Sequence, residues 1–337
     1  MPVDVDSHDL FSLLAMPVAA VFGHHCWCGG RSPKSIEHKP PSRIANDIVP
    51  HATEENATRQ AHLEAEADTA ASGCERPATS DVESPLSPSR RRAVALDRSR
   101  PIRFLCIHGS GANAMVMNLQ TRALKREMGA AATFDYVQGA VDWKPEHVDE
   151  ELLSLFGQGP YFGWWNVHMP DGTSVNKPSD YHDQLDTARE RYHLKYAGVE
   201  DAMRKIEDHI SAHGPFDILL GFSQGAILTS LLTAHCLQRK RVGGLGPSWA
   251  MNVLVCGMIP RDKHWIDLME QQPINFPACI VIGKRDRFFS DGRRLAELYV
   301  EPELFEHQGG HEFPASTDPV YSAWMKSLRS QLKIDSR

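Results

Sequence analysis

The chain has 337 residues, enough for one large domain or two small ones, and its 42% hydrophobic and 23% charged residues are the balance of an ordinary globular protein. A formal net charge of -7 argues against a nucleic-acid-binding surface. Seven cysteines in a chain this long do not make a disulfide framework, and no apolar run approaches the roughly 18–20 residues that a transmembrane helix needs, so no stable membrane insertion is expected.

Residues 1–98 read as a low-complexity, largely disordered extension, and residues 99–337 as the folded domain. The apolar run Leu10 to Phe22 is short, contains Ser12 and Pro17, and follows acidic rather than basic residues. It reads as an amphipathic or docking segment and not as a secretory signal. The group His24-His25-Cys26-Trp27-Cys28 has no second ligand pair at usable spacing, so no metal is expected. Glu54 to Ala71 has no apolar face to hold a helix down. Arg90 to Arg92 read first as a solvated charge cluster; as a basic address they would add a nuclear location to the cytoplasmic one that the cysteine usage suggests.

Strand and helix patterns alternate from residue 99 on, which predicts an α/β domain with a mostly parallel sheet and helices on both faces. Ile102 to Ile107 is a buried strand ending in the small-residue loop His108 to Asn113. Met115 to Met128 reads as a helix and Ala132 to Val137 as a strand. Residues 138–195 lose the alternation but carry Trp143, Tyr161, Phe162, Trp164 and Trp165; such an insertion reads as a lid or binding loop, and the aromatics read either as local core or as pocket residues, with Trp164 and Trp165 the pocket candidates. Tyr196 to His213 has apolar residues at helical spacing. Strands follow within Trp249 to Met258, at Ala278 to Gly283 and at Leu304 to His307. Helices are expected at Gln224 to Gln238, Asp291 to Tyr299 and Pro319 to Lys333.

The chemistry centres on Gly221-Phe222-Ser223-Gln224-Gly225, preceded by an apolar strand and followed by a helix-forming run. This is the G-x-S-x-G nucleophile elbow in its strand–turn–helix setting, where the turn lifts the serine hydroxyl above the sheet. A serine hydroxyl is a weak nucleophile that needs a base, and the base needs an orienting carboxylate. Asp286, just past the strand ending near Ile282, is the candidate acid, with Asp291 and Asp262 in reserve. His311, just past the last strand in Gly309-Gly310-His311, is the candidate base, with His307 in reserve. The backbone N–H groups of Gln224 and Ser110 are the candidate oxyanion donors, and His108 reads as a residue that steadies the loop. The chemistry needs neither metal nor cofactor.

The ordered set Leu105-Cys106-Ile107-His108-Gly109 with Asn113, Gly163-Trp164-Trp165, Gly214 to Asp217 leading into the elbow, Val255 to Arg261, Gly283 to Asp286 and Gly309-Gly310-His311 resembles the FSH-type serine hydrolases. The resemblance covers residues 100–333 and loosens from Asn166 to Lys195. It implies an α/β-hydrolase acting on esters or thioesters, with Ser223, Asp286 and His311 matching the triad. The expected activity is hydrolysis of carboxylic esters with short- to medium-chain acyl groups. Acyl-thioesterase or acyltransferase on the same triad and a non-catalytic binding module are the alternatives. The partner is then a small-molecule ester or thioester, not a nucleic acid.

Overall fold

The computed structural model describes residues 96, 99–148, 150–175 and 194–334. The expectations for the amino-terminal extension, including the histidine–cysteine group and the arginine cluster, fall outside these residues.

Six strands form one sheet: β1 (Ile102–Ile107), β2 (Ala132–Val137), β7 (Ile218–Phe222), β8 (Met251–Val255), β9 (Ala278–Gly283) and β10 (Glu303–His307). Their spatial order is β2-β1-β7-β8-β9-β10, and every neighbouring pair is parallel. The central strands are buried from end to end, and almost wholly apolar, because a parallel sheet is covered on both faces. Alternate residues divide between two cores. Leu105, Ile107, Leu219, Leu254 and Ile280 face one side, and Phe104, Cys106, Leu220, Val253 and Val281 the other.

The second face is covered by α1 (Ala114–Gln120), α2 (Arg122–Met128) and α8 (Pro319–Gln331), through Met117, Leu124, Met128, Trp324 and Leu328. The first is covered by α4 (Val199–His213), α5 (Gln224–Arg241), α6 (Lys263–Glu270) and α7 (Phe289–Glu297). The sheet grows from β1 toward β2 and then restarts on the other side of β1 with β7. In open α/β sheets the crevice that takes ligands lies at the carboxyl ends of the two strands flanking such a reversal, here β1 and β7. This is the α/β-hydrolase arrangement expected from the sequence.

Four local expectations are corrected. The single helix over Met115 to Met128 is two, divided at Thr121, whose hydroxyl donates to Met117 O (2.8 Å) and also meets Tyr136 Oη (2.8 Å). The insertion is not irregular among the described residues. It holds α3 (Glu150–Phe156) and two small antiparallel sheets, β3 (Val141–Trp143) with β4 (Tyr161–Gly163) and β5 (Asn166–His168) with β6 (Lys195–Ala197). Strands of three residues are too short to show a period. The β6 pairing also claims Tyr196, so the next helix starts only at Val199, after Gly198 with φ 102°. Finally α6 was not anticipated, although Asp262 caps it by accepting His264 N–H (3.0 Å) and Trp265, Ile266 and Met269 form its apolar stripe. Among the described residues no helix is long and apolar enough to cross a membrane.

The core beneath α5 is not wholly apolar. Asn252 on β8 accepts from Trp249 Nε1–H (2.8 Å) and donates to Thr233 Oγ1 (2.9 Å) and Tyr299 Oη (3.2 Å); Tyr299 O–H donates to Ser230 Oγ (3.0 Å). Thr229, Ser230 and Thr233 pass their own hydroxyl protons to carbonyls one turn back, at Gly225, Ala226 and Thr229. A satisfied buried network is stable, but removing one member strands the rest. Asn252→Leu is therefore expected to lower the unfolding free energy by about 2 kcal/mol or more, read as a lower urea midpoint at unchanged slope.

Candidate active site

Ser223 follows β7 directly and has φ 52° and ψ -118°, a conformation L-residues avoid. The two flanking glycines permit it because the backbones touch there. A Cβ on Gly221 would lie 2.6 Å from Ala226 Cα, and one on Gly225 would lie 2.6 Å from His108 O and closer still to Ile107 O. The serine N–H donates to Val255 O on the neighbouring strand (3.0 Å). The hydroxyl is thus held at the crevice mouth by the covalent chain and not by side-chain packing.

Three carboxyl-end loops of the sheet bring the remaining groups. His311 Nε2 lies 2.8 Å from Ser223 Oγ, and its Nδ1 lies 2.7 Å from Asp286 Oδ2. With the carboxylate ionised, Nδ1–H donates to Asp286 and Nε2 accepts the serine proton. The other carboxylate oxygen, Oδ1, accepts Phe288 N–H (2.9 Å). Burial alone would raise the pKa of this carboxyl; the hydrogen bond and charge of His311, with the Phe288 N–H, outweigh it and hold the pKa below the ordinary aspartate value. Asp286 is buried, while His311 keeps about a third of its side chain exposed toward the crevice (31%).

Aromatic rings hold the imidazole. Phe222 and Phe288 stand 5.3 and 5.5 Å from it, and Phe313 stacks on Phe222 at 5.4 Å. Each of these is within two residues of Ser223, Asp286 or His311 in sequence, which is the only signal that marks them out. The loop carrying His311 is sewn to the end of β9. Lys284 N–H donates to His307 O (2.8 Å) and Arg285 N–H to Gly309 O (2.9 Å), and a Cβ on Gly283 would collide with the Gly309 and Gly310 carbonyls. From β8, the Cys256 thiol reaches Glu312 O at 3.3 Å.

The ligand atoms of Cys256, Asp286 and His311 lie within 4.8 Å of one another. Their chemistry is nonetheless that of a proton-holding site. Burial pushes the Cys256 thiol far up, so it stays protonated and donates, and Asp286 and His311 already face each other through one shared hydrogen bond.

The reserve candidates stand elsewhere. Asp291 pairs with Arg261, Asp262 caps α6 and accepts Tyr196 N–H (2.8 Å), and His307 is buried behind the loop with Nδ1 accepting Gly309 N–H (3.1 Å). Ser110 is exposed at the end of β1, and Gln224 opens α5; among the described residues neither backbone N–H donates to another protein group. Trp164 and Trp165, expected to line a pocket, are each only 1% exposed. Trp164 Nε1–H donates to His108 O (2.8 Å), Trp164 N–H to Gln224 Oε1 (2.9 Å), and Trp165 stacks on Tyr196 (5.4 Å). The Trp164 indole braces the loop after β1, and the Trp165 indole packs against β6.

A family model described as serine hydrolase (FSH1) matches residues 98–322. Esterase OVCA2 of Homo sapiens is 27% identical over 239 residues, covering 68% of this chain and 96% of its own. Esterase GA18864 of Drosophila pseudoobscura pseudoobscura is 26% identical over 242 residues, covering 70% and 75%. Among solved structures, a carboxylesterase from Mesorhizobium loti aligns with a TM-score of 0.42 at 16% identity, covering 69% of this chain and 89% of that one. The family match begins before β1, ends inside α8 and so takes in the entire sheet: the chain belongs to the FSH1 serine hydrolase family.

Proposed function

We propose that the chain hydrolyses carboxylic esters with short- to medium-chain acyl groups, using Ser223 as nucleophile, His311 as base and acid, and Asp286 as the orienting carboxylate. The observation that carries this reading is the unbroken relay Ser223 Oγ–His311 Nε2–Asp286 Oδ2, at 2.8 and 2.7 Å, inside a serine hydrolase family. The matched relatives bear the name esterase. In this mechanism Ser223 Oγ attacks the acyl carbonyl as His311 Nε2 takes its proton, and Asp286 steadies the imidazolium. The N–H groups of Gln224 and Ser110 bind the oxyanion, Gln224 with the added pull of the α5 amino terminus. The C–O bond then breaks, and the leaving alcohol receives the proton from Nε2. Water attacks the acyl-enzyme by the same route, returning the serine and releasing the carboxylic acid.

The proposed catalytic domain covers residues 99–337. Four buried free cysteines, Cys106, Cys236, Cys256 and Cys279, support a reducing and hence cytoplasmic location. The phenylalanines around His311 supply apolar walls for an acyl group.

Ser223→Ala should abolish labelling by a fluorophosphonate probe and cut ester turnover by about 10⁴-fold or more; retained labelling would refute the nucleophile assignment. Asp286→Asn keeps the shape but lets Nδ1 accept a proton instead of donating it, so kcat should fall on the order of 10⁴-fold at neutral pH with KM little changed. Across a series of p-nitrophenyl esters and acyl thioesters of graded length, kcat/KM should peak for esters of short to medium chain; a flat profile would count against the apolar walls, and faster thioester turnover would move the assignment to a thioesterase.

A further inference from the structure

His108 takes no part in the relay, yet it is fully buried at the carboxyl end of β1 and both of its ring nitrogens are engaged. Gly139 N–H donates to Nε2 at 2.9 Å, and Nδ1 lies 2.7 Å from Gly109 O. A donor facing Nε2 and a carbonyl facing Nδ1 leave one neutral tautomer: the proton sits on Nδ1 and is donated to Gly109 O. Burial pushes the ring pKa down to about 4, which keeps that neutral form through the neutral range. The ring cannot drift, because Trp164 packs against it (5.1 Å between centroids) and binds its backbone carbonyl.

The Gly109 carbonyl shares a peptide plane with the Ser110 N–H. In a trans peptide the C=O and N–H point in opposite directions, so fixing one aims the other. This peptide also stands against the nucleophile, since a Cβ on Gly109 would lie 3.1 Å from Ser223 Cβ. We propose that His108 is a positioning residue for the oxyanion hole: its Nδ1–H holds the Gly109 carbonyl and thereby aims the Ser110 N–H at the substrate carbonyl oxygen bound over Ser223. The inference rests on the hydrolase reading above and adds a residue to it. The proton on Nδ1 is not transferred at any stage. The ring sets a donor in place before charge develops, so no reorientation is needed when the tetrahedral intermediate forms.

The two nitrogens of the ring can be tested apart. His108→Asn places an amide N–H where Nδ1 was, keeping the donor to Gly109 O and losing the contact with Gly139. His108→Gln reaches the Nε2 position, keeping an acceptor for Gly139 N–H and losing the donor. Active sites are counted by end-point fluorophosphonate labelling, so that unfolded molecules do not enter kcat. On a p-nitrophenyl ester, His108→Gln should lose on the order of 100-fold in kcat with KM little changed, and His108→Asn should stay within about 10-fold of the parent. A glutamine variant equal to or better than the asparagine variant would mean that bracing Gly139 is what matters, and would overturn the inference. A measurement on the unaltered protein makes the result independent of whether the variants fold. Its nitrogen NMR spectrum should show His108 neutral with the proton on Nδ1 at neutral pH, and a proton on Nε2 would overturn the inference. Ser223→Ala separates the two levels. Turnover retained there would remove the hydrolase reading and this inference together. Loss there, with glutamine matching asparagine at position 108, would remove the inference alone.

Discussion

The site depends on one close approach of backbones. The first turn of α5 lies so near the end of β1 that only glycine fits at position 225, and the turn entering α5 is so tight that only glycine fits at 221. This contact sets the separation between the elbow and the loop after β1, the two segments that carry the proposed oxyanion donors. A side chain at either glycine would push α5 off the sheet and spread those N–H groups apart. The strained dihedrals of Ser223 follow from the same contact: the chain must turn from strand to helix without room to relax.

Around that fixed point the other strand ends are tied to one another and not merely placed side by side. The loop after β9 donates two backbone hydrogen bonds to the end of β10 and the loop that follows it, so Asp286 and His311 are held on one joined segment. The loop after β8 reaches under them through Cys256, and the insertion reaches the elbow through Trp164 and Gln224. Every group in the relay is thereby placed by something other than its partner in the relay. The orienting hydrogen bonds need not be re-formed at each turnover, which is the physical meaning of preorganisation.

The elbow, the four central strands of the large sheet and the positions of Asp286 and His311 were legible in the sequence for one reason. Parallel strands buried on both faces are written as long apolar runs, and functional groups must follow them at their carboxyl ends. What could not be read was set by contacts distant in sequence. Thr121 breaks a helix of good propensity because its hydroxyl is shared with Tyr136 on β2. Tyr196 has the spacing of a helical residue but is taken by β5 as a strand partner. The two tryptophans could be read either as pocket residues or as local core, because large aromatics in an insertion serve both uses; both are buried, and the Trp164 indole N–H is bonded to the His108 carbonyl at the end of β1. The asparagine at the centre of the α5 core, Asn252, has one partner nearby in sequence, Trp249, but the two that fix it against α5, Thr233 and Tyr299, are distant.

The hydrogen bond from Trp164 N–H to the side chain of Gln224 has a consequence for how such a protein can be diversified. The peripheral layer from Val141 to Phe162 is a cassette that can be replaced only if it keeps its contacts with the loop after β1 and with α1, because its small apolar cluster around Trp143, Val148 and Tyr161 takes in Ala112 and Val116, and Phe162 N–H donates to Ala112 O (2.8 Å). The junction that follows it is not exchangeable in the same way. A transplanted cassette has to return the chain so that a main-chain N–H meets Gln224 and an indole meets His108. Any exchange of this layer therefore has to leave the Gly-Trp-Trp seam with the sheet and elbow to which it is bonded.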